Sequence, residues 1–186
     1  MSGSIVFWST LALLVFWAVG AHNRLVRLRG SAMQAFARLH LEFAQQVELL
    51  ERCLDSVAQS FSASRPAEVH DGASARWATL SGATAQFRAS LAATRTRPLD
   101  GGAVAALAAA LTVLTTAWTR VCDECHDLAG EPIPASVLDR WTLLTHQAAT
   151  ACVDFNTAVN AYNAAVQEFP AVLVAWLFGF QRARPL

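Results

Sequence analysis

Residues 5–21, IVFWSTLALLVFWAVGA, carry no charge, and the neutral residues before them extend the stretch. As a helix it is roughly 30 Å long, the thickness of a bilayer's hydrocarbon core. From Phe36 onward the pattern changes character. Phe36, Leu39, Phe43, Val47, Leu50, Leu54, Val57 and Phe61 follow one another at steps of three and four with polar residues between them, which marks one apolar stripe on a helix. No Pro or Gly lies between Ser31 and Ser64, and Gly30 costs only about 1 kcal/mol relative to Ala. The pattern therefore predicts that the apolar span and the first striped helix form one rod, roughly 80 Å long.

Three further helices are predicted. Pro66 and Gly72, among small polar residues over 62–75, signal a loop. A second stripe follows, Trp77, Leu80, Thr84, Phe87 and Leu91, stopped by Pro98 and the pair Gly101, Gly102. The third stripe is Val104, Leu107, Leu111, Leu114, Trp118, Val121, Cys125 and Leu128, with alanines between that favour helix and let neighbours approach closely. Two prolines within residues 130–136 break the pattern, and Ser136 is placed to cap the fourth helix. That helix carries Trp141, Leu144, Ala148, Cys152, Phe155, Val159, Tyr162, Val166 and Phe169, and Pro170 ends or kinks it. No segment alternates with the period of two that a half-buried strand shows.

Each stripe has to be covered by another, and short connections favour antiparallel neighbours. The expected fold is all-α: a transmembrane helix at residues 1–22 continuing into an antiparallel four-helix bundle over 23–170, then an apolar tail, 171–186. In such a bundle the fourth helix returns to the bilayer end, so the tail AVLVAWLFGF, too short to span, lies near the membrane surface. Trp176, Phe178 and Phe180 suit headgroup depth, and Arg182 and Arg184 are placed to meet anionic lipid. The alternative is that the tail covers the open end of the bundle or the base of the first helix.

Composition narrows the function. The chain has 186 residues, 54% of them hydrophobic and 15% charged, with a formal net charge of zero. No basic run interleaved with aromatics exists to hold nucleic acid. Arg24, Arg27 and Arg29 follow the span and nothing positive precedes it. That asymmetry predicts an outside N-terminus and a cytoplasmic body, hence the cell (inner) membrane with a single pass. A cleaved signal peptide is the competing reading, but the positively charged region such peptides begin with is missing.

The sharpest chemical motif is CDECH, residues 122–126. It matches the C-x-x-C-H attachment sequence of c-type haem, with Met33, His40, His70 or His146 as the second axial ligand. Against this, haem is attached outside the cytoplasm, and Cys125 falls on the third apolar stripe, where it packs as a small hydrophobe. A reactive thiolate is disfavoured beside Asp123, Glu124 and Asp127. Zinc would require Cys122, Cys125 and His126 to recruit Cys152 or His146. There is no nucleophile elbow, phosphate-binding loop, H-E-x-x-H or E-x-x-H pair, so no enzyme, resident cofactor or metal is expected. Glu42, Glu48, Glu51 and Asp55 read as the solvated face of the first helix. One polar feature calls for a reason. Asn156, Asn160, Asn163 and Gln167 step along one side of the fourth helix, although Asn is a mediocre helix former. Either these amides bond across the bundle and fix its register, or they form a strip for another protein or another copy of the chain.

The C-terminal run FNTAVNAYNAAVQEFPAVLVAWLFGF resembles the signature of the LemA family, carried by Phe155-Asn156, Tyr162-Asn163, Phe169-Pro170, Ala175 and Gly179-Phe180. At the other end HNRLVRLR, residues 22–29, is similar to the family's Tyr-Asn-x-Leu-Val-x-Leu-Arg segment, with AFARL after it. His22 departs from the pattern at the Tyr. Gln45, Gln46 and Glu51 replace a basic cluster and a Pro, and Thr145 and Cys152 stand where Glu and Arg are usual. The resemblance implies a bitopic bacterial membrane protein with a long-helix bundle inside the cell and no established reaction. The expected function is a membrane-anchored scaffold or membrane-organising protein, with the bilayer and an unidentified protein or a second copy as partners. Asn156, Asn163, Phe169, Pro170, Gly179 and Phe180 are its candidate interaction residues. The alternative is an electron-transfer protein with haem or metal at CDECH.

Overall fold

The computed structural model describes the backbone of residues 2–63, 71–127, 133–169 and 171–186, and the side chains of 6–59, 74–123, 133–169 and 171–186. Among the described residues there are five helices and no strand: α1 (Ser2–Ala63), α2 (Asp71–Thr96), α3 (Gly101–Asp127), α4 (Ala135–Gln167) and α5 (Ala171–Leu177). The single rod predicted from the uninterrupted pattern is present as α1, whose 62 residues span roughly 93 Å at 1.5 Å per residue. Gly30 sits inside it with nothing within 4 Å of the position its Cβ would take, so no close approach accounts for the glycine.

Two boundaries differ from expectation. Helix α2 begins at Asp71, inside the stretch predicted as loop, so Gly72 lies in a first turn. Helix α4 begins at Ala135 with Pro134 in the capping position and no side-chain cap. Ser136 is already helical there, because the fixed φ of Pro134 starts the helix one residue early. By contrast α3 is capped by a side chain the pattern did not single out: Asp100 accepts the Ala103 N–H at 2.8 Å.

The stripes are where the core forms. Leu39, Phe43, Leu50, Leu80, Phe87, Val104, Leu107, Leu114, Leu144, Phe155 and Val159 are all sealed from solvent. As α1 advances from Arg24 through Phe36 to Gln46, its partners recede from Glu168, the residue that caps α4, through Phe155 to Thr145. The two helices are therefore antiparallel and in register over about 33 Å. Alanines 32, 35, 148, 151 and 165 are buried and permit the close approach. Helix α2 also runs antiparallel to α1, with Phe43 edge-on to Phe87 at 5.2 Å, and turns through residues 97–100 into α3. Buried Thr94 sits at that turn, its hydroxyl within hydrogen-bonding reach of both Ser90 O (2.8 Å) and Ala103 O (3.2 Å), which share its single proton.

The last pair is looser. No Cα atoms of α3 and α4 approach within 8 Å among the described residues. The two helices meet instead through the Trp118 and Trp141 rings, 4.9 Å apart, side chains large enough to hold two backbones apart. Helix α3 is long and apolar enough to pass for a membrane span, with a mean hydropathy of 1.6, but a third of that window is buried in the packed region.

The N-terminal part of α1 passes the same test with none of its window buried. Val6, Phe7, Trp8, Leu11, Leu13, Leu14, Val15 and Phe16 are all exposed. The other helices begin to cover α1 only near Trp17, Ala18 and Ala21, which pack partly against the core.

Candidate functional site

Helix α5 packs across the base of the α1–α4 pair. Ala171, Val174 and Ala175 are buried, at the i, i+3, i+4 spacing of one helical face. The other face is equally apolar and bare: Leu173, Trp176 and Leu177 are 60%, 84% and 70% exposed, and Phe169 just before it is 77% exposed. The helix lies beside residues 17–25 of α1, next to its uncovered part. Arg24 and Glu168 pair at 2.7 Å alongside.

Helix α5 stops in a Schellman turn. Phe180 N–H donates to Ala175 O at 2.9 Å and Gly179 N–H to Trp176 O at 3.4 Å. Gly179 has φ +70°, the left-handed conformation in which a side chain costs about 1–2 kcal/mol. The turn puts Phe178 and Phe180 against the His22 ring, at centroid distances of 4.6 and 5.7 Å. The His22 Nδ1 is buried there without a hydrogen-bond partner among the described residues.

Beyond the turn the chain runs back along α4 in extended form, and the asparagine strip finds its partner. Asn163 donates from Nδ2 to Ala183 O (2.8 Å) while its Oδ1 accepts the Ala183 N–H (2.9 Å). Asn156 repeats the arrangement on Leu186, donating to its O (3.1 Å) and accepting from its N–H (2.8 Å). Ahead of both along the tail, the Tyr162 hydroxyl donates to Gln181 O at 2.9 Å. Burial pushes the Tyr162 pKa up, and the nearby Arg29 opposes the shift, so at neutral pH the phenol remains a donor. Gln167 bonds back to Asn163 O within its own helix at 3.1 Å, and Asn160 faces solvent.

The amides thus hold the chain's own tail rather than a neighbouring helix. Helical position alone showed the strip but not its partner, because an extended tail has no periodicity to match to it. The tail also departs from expectation. The Gly179 turn carries Arg182 and Arg184 up the side of α4, away from the bare face of α5. At its far side the tail touches the α2–α3 turn: a Cβ on Gly101 would lie 3.6 Å from the Arg184 Cβ.

Of the six candidate interaction residues, Asn156 and Asn163 grip the tail, Gly179 turns it, and Phe180 is half-buried against His22. Phe169 points outward, and Pro170 lies outside the described residues. In CDECH, Cys122 is half-buried on α3, while the side chains of Cys125 and His126 lie outside the described residues. Cys152 is half-buried on α4, and burial pushes its thiol pKa up. Gln46, buried on α1, donates to Thr145 Oγ1 at 3.3 Å.

A cleft of about 560 Å³ lies between α1 and α2, lined by Ala44, Val47, Leu91 and Ala92 among others. Glu51 pairs with Arg88 across it at 2.9 Å, and Glu48 pairs with Arg52 along α1. Desolvation, and then the charge of Arg95, hold the His40 pKa below its usual value. Nucleophile, base and metal-ligand sets do not converge in it, and among the described residues no three His, Cys, Asp or Glu side chains stand together as a metal site. No family model, curated protein or solved structure matches the chain.

Proposed function

We propose that the chain is a single-pass, membrane-tethered scaffold of the LemA type. In this reading an antiparallel four-helix bundle stands on the cytoplasmic face of the membrane and acts by binding rather than by catalysis. The observation that carries it is the single apolar end of the molecule. The bare face of α5 belongs to a helix lying beside residues 17–25 of α1, next to the uncovered residues 6–16 and near Arg24, the first of the arginines that follow the span. A helix apolar on every side belongs inside a large core or in lipid, and half of α5 is in no core. Trp and Phe in that position favour the interfacial layer.

Two further observations support the LemA resemblance. Residues quoted for it from opposite ends of the chain meet in space, since His22 packs on Phe180 and Asn156 and Asn163 hold the segment after Gly179. Two departures from the family pattern also meet: Gln46 and Thr145, where a basic residue and a Glu are usual, form a neutral hydrogen bond at 3.3 Å.

The test is extraction and sidedness of the full chain in native membranes. The expected result is retention in the pellet after alkaline carbonate washing, with an introduced Ser4→Cys labelled by an impermeant thiol reagent from outside and an Arg120→Cys protected until the membrane is opened. Elution by carbonate would sink the tether, and labelling of position 120 from outside would reverse the orientation.

A further inference from the structure

We propose that the slot formed by Asn156, Tyr162 and Asn163 on α4 and by the α2–α3 turn at Gly101 is an acceptor site for an extended peptide. Within one chain it holds residues 181–186, and it accepts the same segment from a second copy, so that exchanged tails link neighbouring molecules.

The slot is built for main chain. Asn156 and Asn163 are seven residues apart, two helical turns, or about 10.5 Å along α4. The residues they grip, Leu186 and Ala183, are three apart, about 10 Å in an extended chain, so both amides engage in one register. Each amide offers a donor and an acceptor to the C=O and N–H of a single residue, the pairing a neighbouring strand would supply. Side-chain selection is confined to two places. Ala183 is 5% exposed, which admits only a small residue, and Leu186 packs partly against the core. Any extended segment with a small residue and an apolar one three positions later satisfies these contacts, and every copy of the chain carries one.

The tail is also detachable. It has no regular structure, and Arg182, Arg184 and Pro185 face solvent. Among the described residues its hydrogen bonds to α4 are the two amide pairs and the Tyr162 bond. The proposal rests on the membrane tether of the preceding reading, which gives every copy the same height and sense in the bilayer. A released tail then meets the neighbour's slot at the level from which it left, and confinement to the membrane raises the effective concentration of that encounter.

The Gly101 and Arg184 positions supply the test, because their Cβ separation of 3.6 Å lies within the range of a disulfide. Two differently tagged full-length chains are co-expressed, one carrying Gly101→Cys and the other Arg184→Cys, and isolated membranes are oxidised. The expected result is a mixed-tag disulfide product that requires both introduced cysteines and falls at least fivefold when the Gly101→Cys copy also carries Asn156→Ala and Asn163→Ala. A chain bearing both cysteines is the control. If it closes its internal disulfide while the mixed product is absent, the tail stays at home and exchange is refuted. A mixed product indifferent to the asparagines refutes the slot as the point of contact, and failure of both disulfides refutes the slot geometry itself. Carbonate extraction of the same membranes reports the tether separately, so loss of the anchor is distinguished from loss of exchange.

Discussion

Replacing Asn163 with alanine is the most informative single perturbation of the tail. It removes both bonds to Ala183, each contributing about 0.5–1.5 kcal/mol net, so about 2 kcal/mol in total. Remaining docked would leave the buried N–H and C=O of Ala183 without partners at about 1–3 kcal/mol each. Release of the tail is the cheaper response, and it caps the global effect while concentrating the local one. At about 1.4 kcal/mol per tenfold, the docked-to-released ratio falls roughly 30-fold. Amide hydrogen exchange of the full chain in detergent micelles reads this directly, because it resolves local opening from global unfolding. The Ala183 and Leu186 amides should exchange roughly 30-fold faster, by the same arithmetic, while those around Phe155 in α4 keep their protection. Asn163→Asp retains the acceptor for the Ala183 N–H but loses the donor, and should fall between wild type and alanine. Protection at Ala183 unchanged within about twofold would refute the assignment of the tail's hold to this amide.

Three other outcomes follow from the same geometry. Phe155 is fully buried and edge-on to Phe36 at 5.6 Å, so Phe155→Ala should cost about 3–5 kcal/mol in denaturant unfolding; a loss below about 1 kcal/mol would mean that the α1–α4 seam is not the core. The raised Tyr162 pKa implies stability that is complete below the ordinary value of 10.0 and lost as pH rises through the higher folded value. Cys152 is raised likewise from 9.0, so the difference in Tm between wild type and Tyr162→Phe across the alkaline range isolates the phenol, and parallel curves would contradict its burial. Gly179→Ala has room for its methyl and meets only the backbone cost of about 1–2 kcal/mol at positive φ; limited trypsin cleavage after Arg182 should accelerate roughly tenfold, and no change would show that the turn does not hold the tail.

The helices themselves were legible along the chain. Steps of three and four from Phe36 to Val57 and from Val104 to Val121 lie on buried or half-buried faces, because a helix that must cover one side on a core can do so only with that spacing. The unbroken α1 follows from the lack of any proline to end it, and the α2–α3 turn from Pro98 and the paired glycines. The uncharged residues 5–21 contain the part of α1, residues 6–16, that the other helices leave uncovered.

What pairing alone decided lies where the pattern has no period. Asn156 and Asn163 announce unmet hydrogen-bonding capacity, yet an amide bonds a helix, a strand or a partner protein equally well, and only the folded chain selects among them. That selection depends on a turn at one residue, Gly179, whose left-handed φ sends six residues back along α4 instead of onward with α5. The same holds for Trp118 and Trp141. Each reads as a stripe position on its own helix, but their meeting props α3 and α4 apart. Local sequence determines which face of a helix must be covered, since that follows from solvation of its own side chains. Which segment does the covering is settled by long-range geometry, which no window of a few turns contains.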